Sequence, residues 1–482
     1  MTSVHRRIRR EGAVSLLAAL ALTLPAAVAH AAPVLIMSPG GHVTRAQDPF
    51  LPAGEPTPTP NTIGATTAAA RPTKRRKPPQ KTVASELVRL RNSGAITAAQ
   101  YAAYNASFNA ALAAAMLWRL VITASSSEAR VPPRWRSAAG KLTPARLPVL
   151  FQTLDNNRQW WTSGPIPAAG SYVEFAGSQL VWEYYAGQGI ELQVLGTFGK
   201  ADGLYTGGPG NYPQLEALLA QMIPLAVNRG GGQPPWTSAM SQGTGIEALT
   251  RAYLASHDPN YLLLAHQAVL VFTAPPPVGV RVNTPVGARY VQYTFTPGTS
   301  ILNAFLQSLI GLYDYAQTSG DPLAEQLFAA GNAEAQAEVP QFDTGAWSLY
   351  QPGVEDTVSY HQLVTGFLQQ LCQRTQVPVY CVAGQHFTAY MTTPPALTLI
   401  TQQAPKNKPV TIQFNLSKYS HVGIVVVGPG GHTLFETSGN FGYGTRSFAV
   451  PALKHKGTYT ISLAATDLAG NFSRIVGTIQ VS

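Results

Sequence analysis

Charge is scarce in this chain: only 12% of its 482 residues are Asp, Glu, Lys or Arg, and 23 are acidic. Cysteine is rarer, with Cys372 and Cys381 alone. No other thiol or histidine clusters beside them, so a metal site is not expected, and nothing in the sequence calls for another cofactor. A nucleophile with its base and a phosphate-binding loop are also missing as recognisable patterns. After the first thirty or so residues no apolar run is long enough to cross a bilayer.

The net charge of +10 would suggest a nucleic-acid partner if it were spread over a folded surface. It is not. Eleven basic residues but only Glu11, Asp48 and Glu55 among the acids lie in residues 1–81, leaving the remaining chain at only +2. No nucleic-acid partner is expected.

The first residues read as an export signal. Arg6, Arg7, Arg9 and Arg10 precede an apolar run over 13–29, and Ala29 and Ala31 supply the small residues of a cleavage site. The expectation is a signal peptide over 1–31, an extracellular or cell-envelope location, and no membrane span after cleavage. In that oxidising setting Cys372 and Cys381, nine positions apart across Pro378, are most simply a disulfide tying a helix end to the following segment. Residues 32–81 are rich in Pro, Thr, Ala and Arg without hydrophobic period, and are expected to be a disordered linker.

Folding is expected from about residue 82. Helical spacing runs over 85–120 with a break at 92–94, and returns over 215–227, 244–255, 260–272, 301–317, 323–338 and 359–374. Between them, near 149–199, the texture suggests a β element, with a hairpin over 172–185. Successive helices at this density predict a mainly α domain over 82–395, an α/α barrel whose loops line a cleft. After residue 400 the period becomes two, in short strands at 410–416, 422–427, 459–463 and 475–481. These predict an immunoglobulin-like β-sandwich over 401–482, of the kind that spaces or attaches a secreted enzyme.

Four clusters in the helical region hold more aromatic and polar residues than a core needs. They contain Trp182, Tyr185 and Gln188; Trp236, Gln242 and Arg251; Arg289, Gln292 and Tyr293; and Asp343, Tyr350, Tyr360 and His361. Aromatic faces with amides and hydroxyls beside them suit sugars. Glycosidase chemistry would need two facing carboxylates, for which Glu247, Asp343 and Glu355 are available.

Over about 170–373 these motifs, in their order, resemble the C-terminal domain of the D-glucuronyl C5-epimerases. The resemblance implies an α/α barrel and conversion of glucuronate to iduronate within a heparosan-like polymer. It places Tyr293, Tyr350 and Tyr360 on the family's catalytic tyrosines. Tyr185, Gln188, Trp236, Gln242, Arg251, Arg289, Gln292, Asp343 and His361 are the candidate substrate-binding residues, a uronate-containing polysaccharide is the implied partner, and a homodimer is compatible. The reaction needs a proton taken from C5 and another delivered to the opposite face. A tyrosine can serve as base if cationic or hydrogen-bonding neighbours acidify its phenol. Two positions depart from the family pattern: Gln292 replaces a glutamate before the first tyrosine, and Gly353 an arginine after the second. Arg251 or Arg289 could supply the missing charge. A polysaccharide lyase and a catalytically idle glycan-binding envelope protein are the alternatives.

Overall fold

A computed structural model of the protein describes residues 31–52, 83–122, 144, 147–185, 189–225 and 237–482. The signal expected over 1–31 lies outside these apart from Ala31, as do linker residues 53–81.

The beginning of the expected linker is folded. Strands β1 (Ala31–Met37) and β2 (Val43–Pro52) form an antiparallel hairpin. Helices α1 (Val83–Asn92) and α2 (Ala98–Ile122) are the pair expected from the break at 92–94. Helix α3 (Leu147–Ser163) corrects the β reading of this stretch. Its Thr, Asn and Trp content hides a helical stripe of Leu147, Phe151, Leu154 and Trp160, all buried. The expected hairpin over 172–185 is present as β3 (Tyr172–Phe175) and β4 (Trp182–Tyr185), followed by β5 (Gly189–Leu192). The order is β2-β1-β3-β4-β5, with β1 running parallel to β3. Asn157 of α3 holds this sheet by giving its amide to the Ile190 carbonyl at 2.6 Å and accepting from the Ile190 N–H at 2.9 Å.

The N-terminal hairpin is tied in by charge. Lys200, on α4 (Val194–Thr206), sits 2.7 Å from Asp48 of β2 and 2.8 Å from Glu174 of β3, all nearly buried. Burial alone would raise the Asp48 carboxyl, but the hydrogen bond and charge of Lys200 outweigh it and hold it below its usual value. Asp48→Ala leaves Lys200 short of one carboxylate in a buried place. It is expected to cost about 3 kcal/mol, read as a shifted urea midpoint; a shift within experimental error would mean the hairpin is not clamped there.

Helix α5 (Tyr212–Met222) leads to the helical body. There α6 (Ala239–Ser256), α7 (Pro259–Val269), α8 (Leu302–Ser319), α9 (Pro322–Glu338), α10 (Val358–Thr375) and α11 (Pro378–Tyr390) follow one another, with hairpin β6–β7 (Arg281–Asn283, Ala288–Tyr290) and hairpin β8–β9 (Leu349–Gln351, Val354–Glu355) between them. Their starts follow local chemistry: Asp258 and Asp321 cap α7 and α9, each with proline at the first helical position. Helices α6 and α8 form the centre. At Gly243 a Cβ would stand 2.5 Å from the Ser308 backbone, and at Gly311 one would stand 2.1 Å from the Gly243 carbonyl, so only glycine permits this approach. Cys372 and Cys381 form the expected disulfide, joining the end of α10 to the start of α11. The protein is helical with several small sheets and a β-rich C-terminus; among the described residues the helices do not close into a barrel.

The C-terminal strands are β10 (Leu397–Leu399), β11 (Gln403–Ala404), β12 (Val410–Leu416), β13 (Ser420–Val427), β14 (Thr433–Phe441), β15 (Gly444–Val450), β16 (Gly457–Asp467) and β17 (Phe472–Val481). They make two sheets, β10-β12-β15 and β11-β17-β16-β13-β14, around a shared core that includes Phe414, Phe448 and Tyr459. Alternating burial along β12 puts every second side chain inside. The sheets begin at Leu397, a few residues ahead of the expected 401.

This sandwich is fastened to the helical body. Lys418, 1% exposed, donates to the carbonyls of Tyr390 and Thr393 and lies 2.6 Å from Asp467. Asn471 donates to the Met391 carbonyl, and Ser473 to that of Pro395.

Candidate active site

Three tyrosines from separate segments meet beside the body's core. The Tyr293 and Tyr350 hydroxyls are 3.2 Å apart, and the Tyr350 and Tyr360 rings lie 5.1 Å apart. Tyr293 is 7% exposed; the other two are half-buried.

Each has a local reason for its place. Tyr293 follows a segment held to the N-terminus of α6: the Ala239 N–H donates to the Val291 carbonyl, and Ser238, the α6 N-cap, donates its hydroxyl to the Gln292 side-chain oxygen at 2.9 Å. Tyr350 stands at an irregularity in the β8–β9 ladder, between the pairs Leu349–Glu355 and Gln351–Val354. Tyr360 lies in the first turn of α10, its N–H facing the capping Thr357 hydroxyl. The N-terminal ends of α6 and α10, positive by the alignment of their peptide dipoles, thus both adjoin the cluster.

The Tyr293 and Tyr350 phenols are not acidified in this structure. Burial pushes Tyr293 above its usual value, the hydrogen bond from Tyr350 acting against the shift. Tyr350 is pushed far up by burial, and further by Tyr293 and Tyr360. Burial is the largest cause for both, and either hydroxyl can donate in the bond between them.

The remaining expected residues scatter. Arg251 is ion-paired with Asp202 and Glu247 among α4 and α6, and Arg289 with Glu334 and Glu338 of α9. Neither supplies free positive charge to the tyrosines, because buried carboxylates already engage both. Gln242 is half-buried in the first turns of α6, near Gln292's anchor. Tyr185 donates to Glu183 in the β4 strand. Asp343 accepts from the Gly345 N–H and from the Tyr390 hydroxyl, shaping its own loop. Gln188 and Trp236 lie outside the described residues. Gly353 has φ +81° after Pro352, the turn geometry that suits Pro-Gly and strains any residue with a Cβ.

His361, expected at the substrate, is instead wholly buried. Its Nε2–H donates to the Phe387 carbonyl at 2.8 Å, its ring stacks on Trp347, and its Nδ1 lies 2.7 Å from the Ser348 hydroxyl, itself next to Asp356. Ser348 is 0% exposed, so this Ser–His–Asp arrangement cannot meet a polymer. Burial lowers the imidazole from its ordinary 6.5 to about 4, with Lys418 adding to the effect. The unfolded chain therefore takes up this proton first. His361's contribution is full above about pH 6.5 and fades as pH falls toward 4, up to about 3 kcal/mol. Urea unfolding of wild type should lose stability over that window more steeply than His361→Phe; parallel curves would refute the assignment.

The three carboxylates open to glycosidase chemistry are each engaged elsewhere. Glu247 holds Gln307 and Arg251, Asp343 its loop, and Glu355 two amides of the sandwich. The sequence did not reveal those sandwich contacts.

The family described as D-glucuronyl C5-epimerase C-terminus matches residues 221–389, which include all three tyrosines. A D-glucuronyl C5-epimerase of Caenorhabditis elegans is 38% identical over 130 residues, covering 24% of this chain and 21% of its own. An uncharacterized protein of Methanocaldococcus jannaschii is 27% identical over 120 residues, covering 24% of this chain and 39% of its own. The chain thus spans well under half the length of these curated relatives. A solved Cellulomonas fimi endo-beta-1,4-mannanase double mutant aligns over 73% of this chain and 84% of its own at 12% identity, but its TM-score of 0.13 carries no argument. Residues 221–389, within which the three tyrosines converge in space, match the D-glucuronyl C5-epimerase C-terminal domain family.

Proposed function

We propose that the protein is an exported uronate C5-epimerase that acts on residues within a polysaccharide of heparosan type, at the end of a helical body forming an arc of an α/α toroid. The observation that carries the reading is the 3.2 Å approach of the Tyr293 and Tyr350 hydroxyls with Tyr360 beside them. In this reading Tyr293, ionised to its phenolate in the substrate complex and hydrogen-bonded by Tyr350, accepts the C5 proton, and Tyr360 delivers its phenolic proton to the opposite face and is left as the phenolate. The electron pair left by C5–H cleavage spreads into the uronate carboxylate as an enediolate, then takes the returning proton, so the bond broken and the bond formed are both C5–H. The positive ends of α6 and α10 favour that developing charge, a role that Gly353 and the paired arginines do not fill.

Incubation with heparosan in deuterated water tests it: deuterium should appear at C5 of uronate residues with some of them inverted. Ultraviolet absorbance from a new C4–C5 double bond would point to a lyase instead. The buried, raised phenols favour one further reading, an idle glycan-binding protein. Binding without exchange on heparosan and other uronans would establish it and refute the epimerase.

A further inference from the structure

The sandwich reads in sequence as a spacer, yet it reaches the strand pair that carries Tyr350. That pair is short, with an irregularity at Tyr350 itself, so its own ladder gives the side chain little fixed direction. Glu355 stands across the ladder from Leu349. Its two oxygens each accept a backbone N–H from a different loop of the sandwich: Tyr419, between β12 and β13, at 2.7 Å, and Tyr443, between β14 and β15, at 3.0 Å. The loops are themselves seated on the body. Tyr443 packs on the helical core, and Lys418, next to Tyr419, donates to the carbonyls of Tyr390, the last residue of α11, and of Thr393 just beyond it while lying over the Trp347 ring. A carboxylate gripping two amides makes strong, directional bonds.

We infer that the C-terminal sandwich is a working part of the tyrosine site, with Glu355 the positioning residue that holds the Tyr350 hairpin at its distance from Tyr293. The catalytic consequence rests on the epimerase reading; the geometric one does not.

The test uses the full chain labelled with 3-fluorotyrosine, the Tyr293 and Tyr350 signals being assigned from Tyr293→Phe and Tyr350→Phe. Glu355→Ala should shift and broaden the Tyr350 signal while Tyr380, in α11, and Tyr459, inside the sandwich, stay in place. Glu355→Gln keeps one acceptor oxygen and should shift it less, and it decides the matter if the alanine variant fails to fold. A Tyr350 signal unmoved in the folded variants overturns the inference. In the deuterium assay Glu355→Ala should lower kcat by roughly tenfold to a hundredfold with KM little changed, and Glu355→Gln should recover part of it. An unchanged kcat would overturn the positioning role. Absence of exchange in wild type would instead sink the epimerase reading and leave the fluorine result to decide the geometry.

Discussion

Tyr293→Phe and Tyr360→Phe are each expected to cut deuterium entry at C5 by roughly 10²–10⁴-fold, the usual worth of a positioned acid or base. Both substitutions keep the aromatic ring. Tyr293 is packed in the body's core, so the fold should survive with a stability change of about 1 kcal/mol, the cost of leaving the Tyr350 hydroxyl short of a partner. Tyr350→Phe separates relay from base. If Tyr350 only supports Tyr293, its loss should lower the rate less and move the pH profile upward, because the hydrogen bond that favours a Tyr293 phenolate is gone. Equal activity in the Tyr293 and Tyr360 variants and wild type would place the chemistry on other groups.

The second large effect lies outside the site. Asp467→Ala should destabilise the protein by about 3–5 kcal/mol. Lys418 and Asp467 are both 1% exposed in their side chains, and removing the carboxylate strands an ammonium group that water cannot reach. The two carbonyls that Lys418 also meets bring no compensating charge. Melting of the full chain should fall by several degrees, and the double variant Lys418→Met with Asp467→Ala should recover much of the loss, since no buried charge remains. A single variant that melts with wild type would show the pair to be hydrated in solution.

Much of the helical body was legible because amphipathic periods, proline starts and Asp caps are local signals, as at Asp258-Pro259 and Asp321-Pro322. The strands after residue 400 alternate so cleanly that period two could be read directly, as in β12. Three features were not legible, each depending on distant partners. The β1–β2 hairpin looks like linker because its polar Asp48 makes sense only beside Lys200, far along the chain. Helix α3 carries Thr and Trp, which favour strands, and is rescued by the burial of Phe151 and Trp160. The acidified tyrosine that the chemistry would need is not seen because Tyr293 and Tyr350 are buried, which raises their phenols, while Arg251 and Arg289 are held by carboxylates.

The tyrosine residues themselves were identified through their order along the chain, and their convergence is a property of the fold. Motif order told nothing of Glu355, since the amides it grips lie in another domain.

The placement of β1 between β2 and β3 bears on how the molecule assembles. Val34 pairs with Ala46 on one side and with Tyr172 on the other, so one edge of the hairpin stays open until the chain through β3 has been delivered. Closing that distant pairing is entropically slow. During the wait an unpaired strand edge is a template for association with other copies. The yield of refolded protein should therefore fall with chain concentration even when the finished fold is stable.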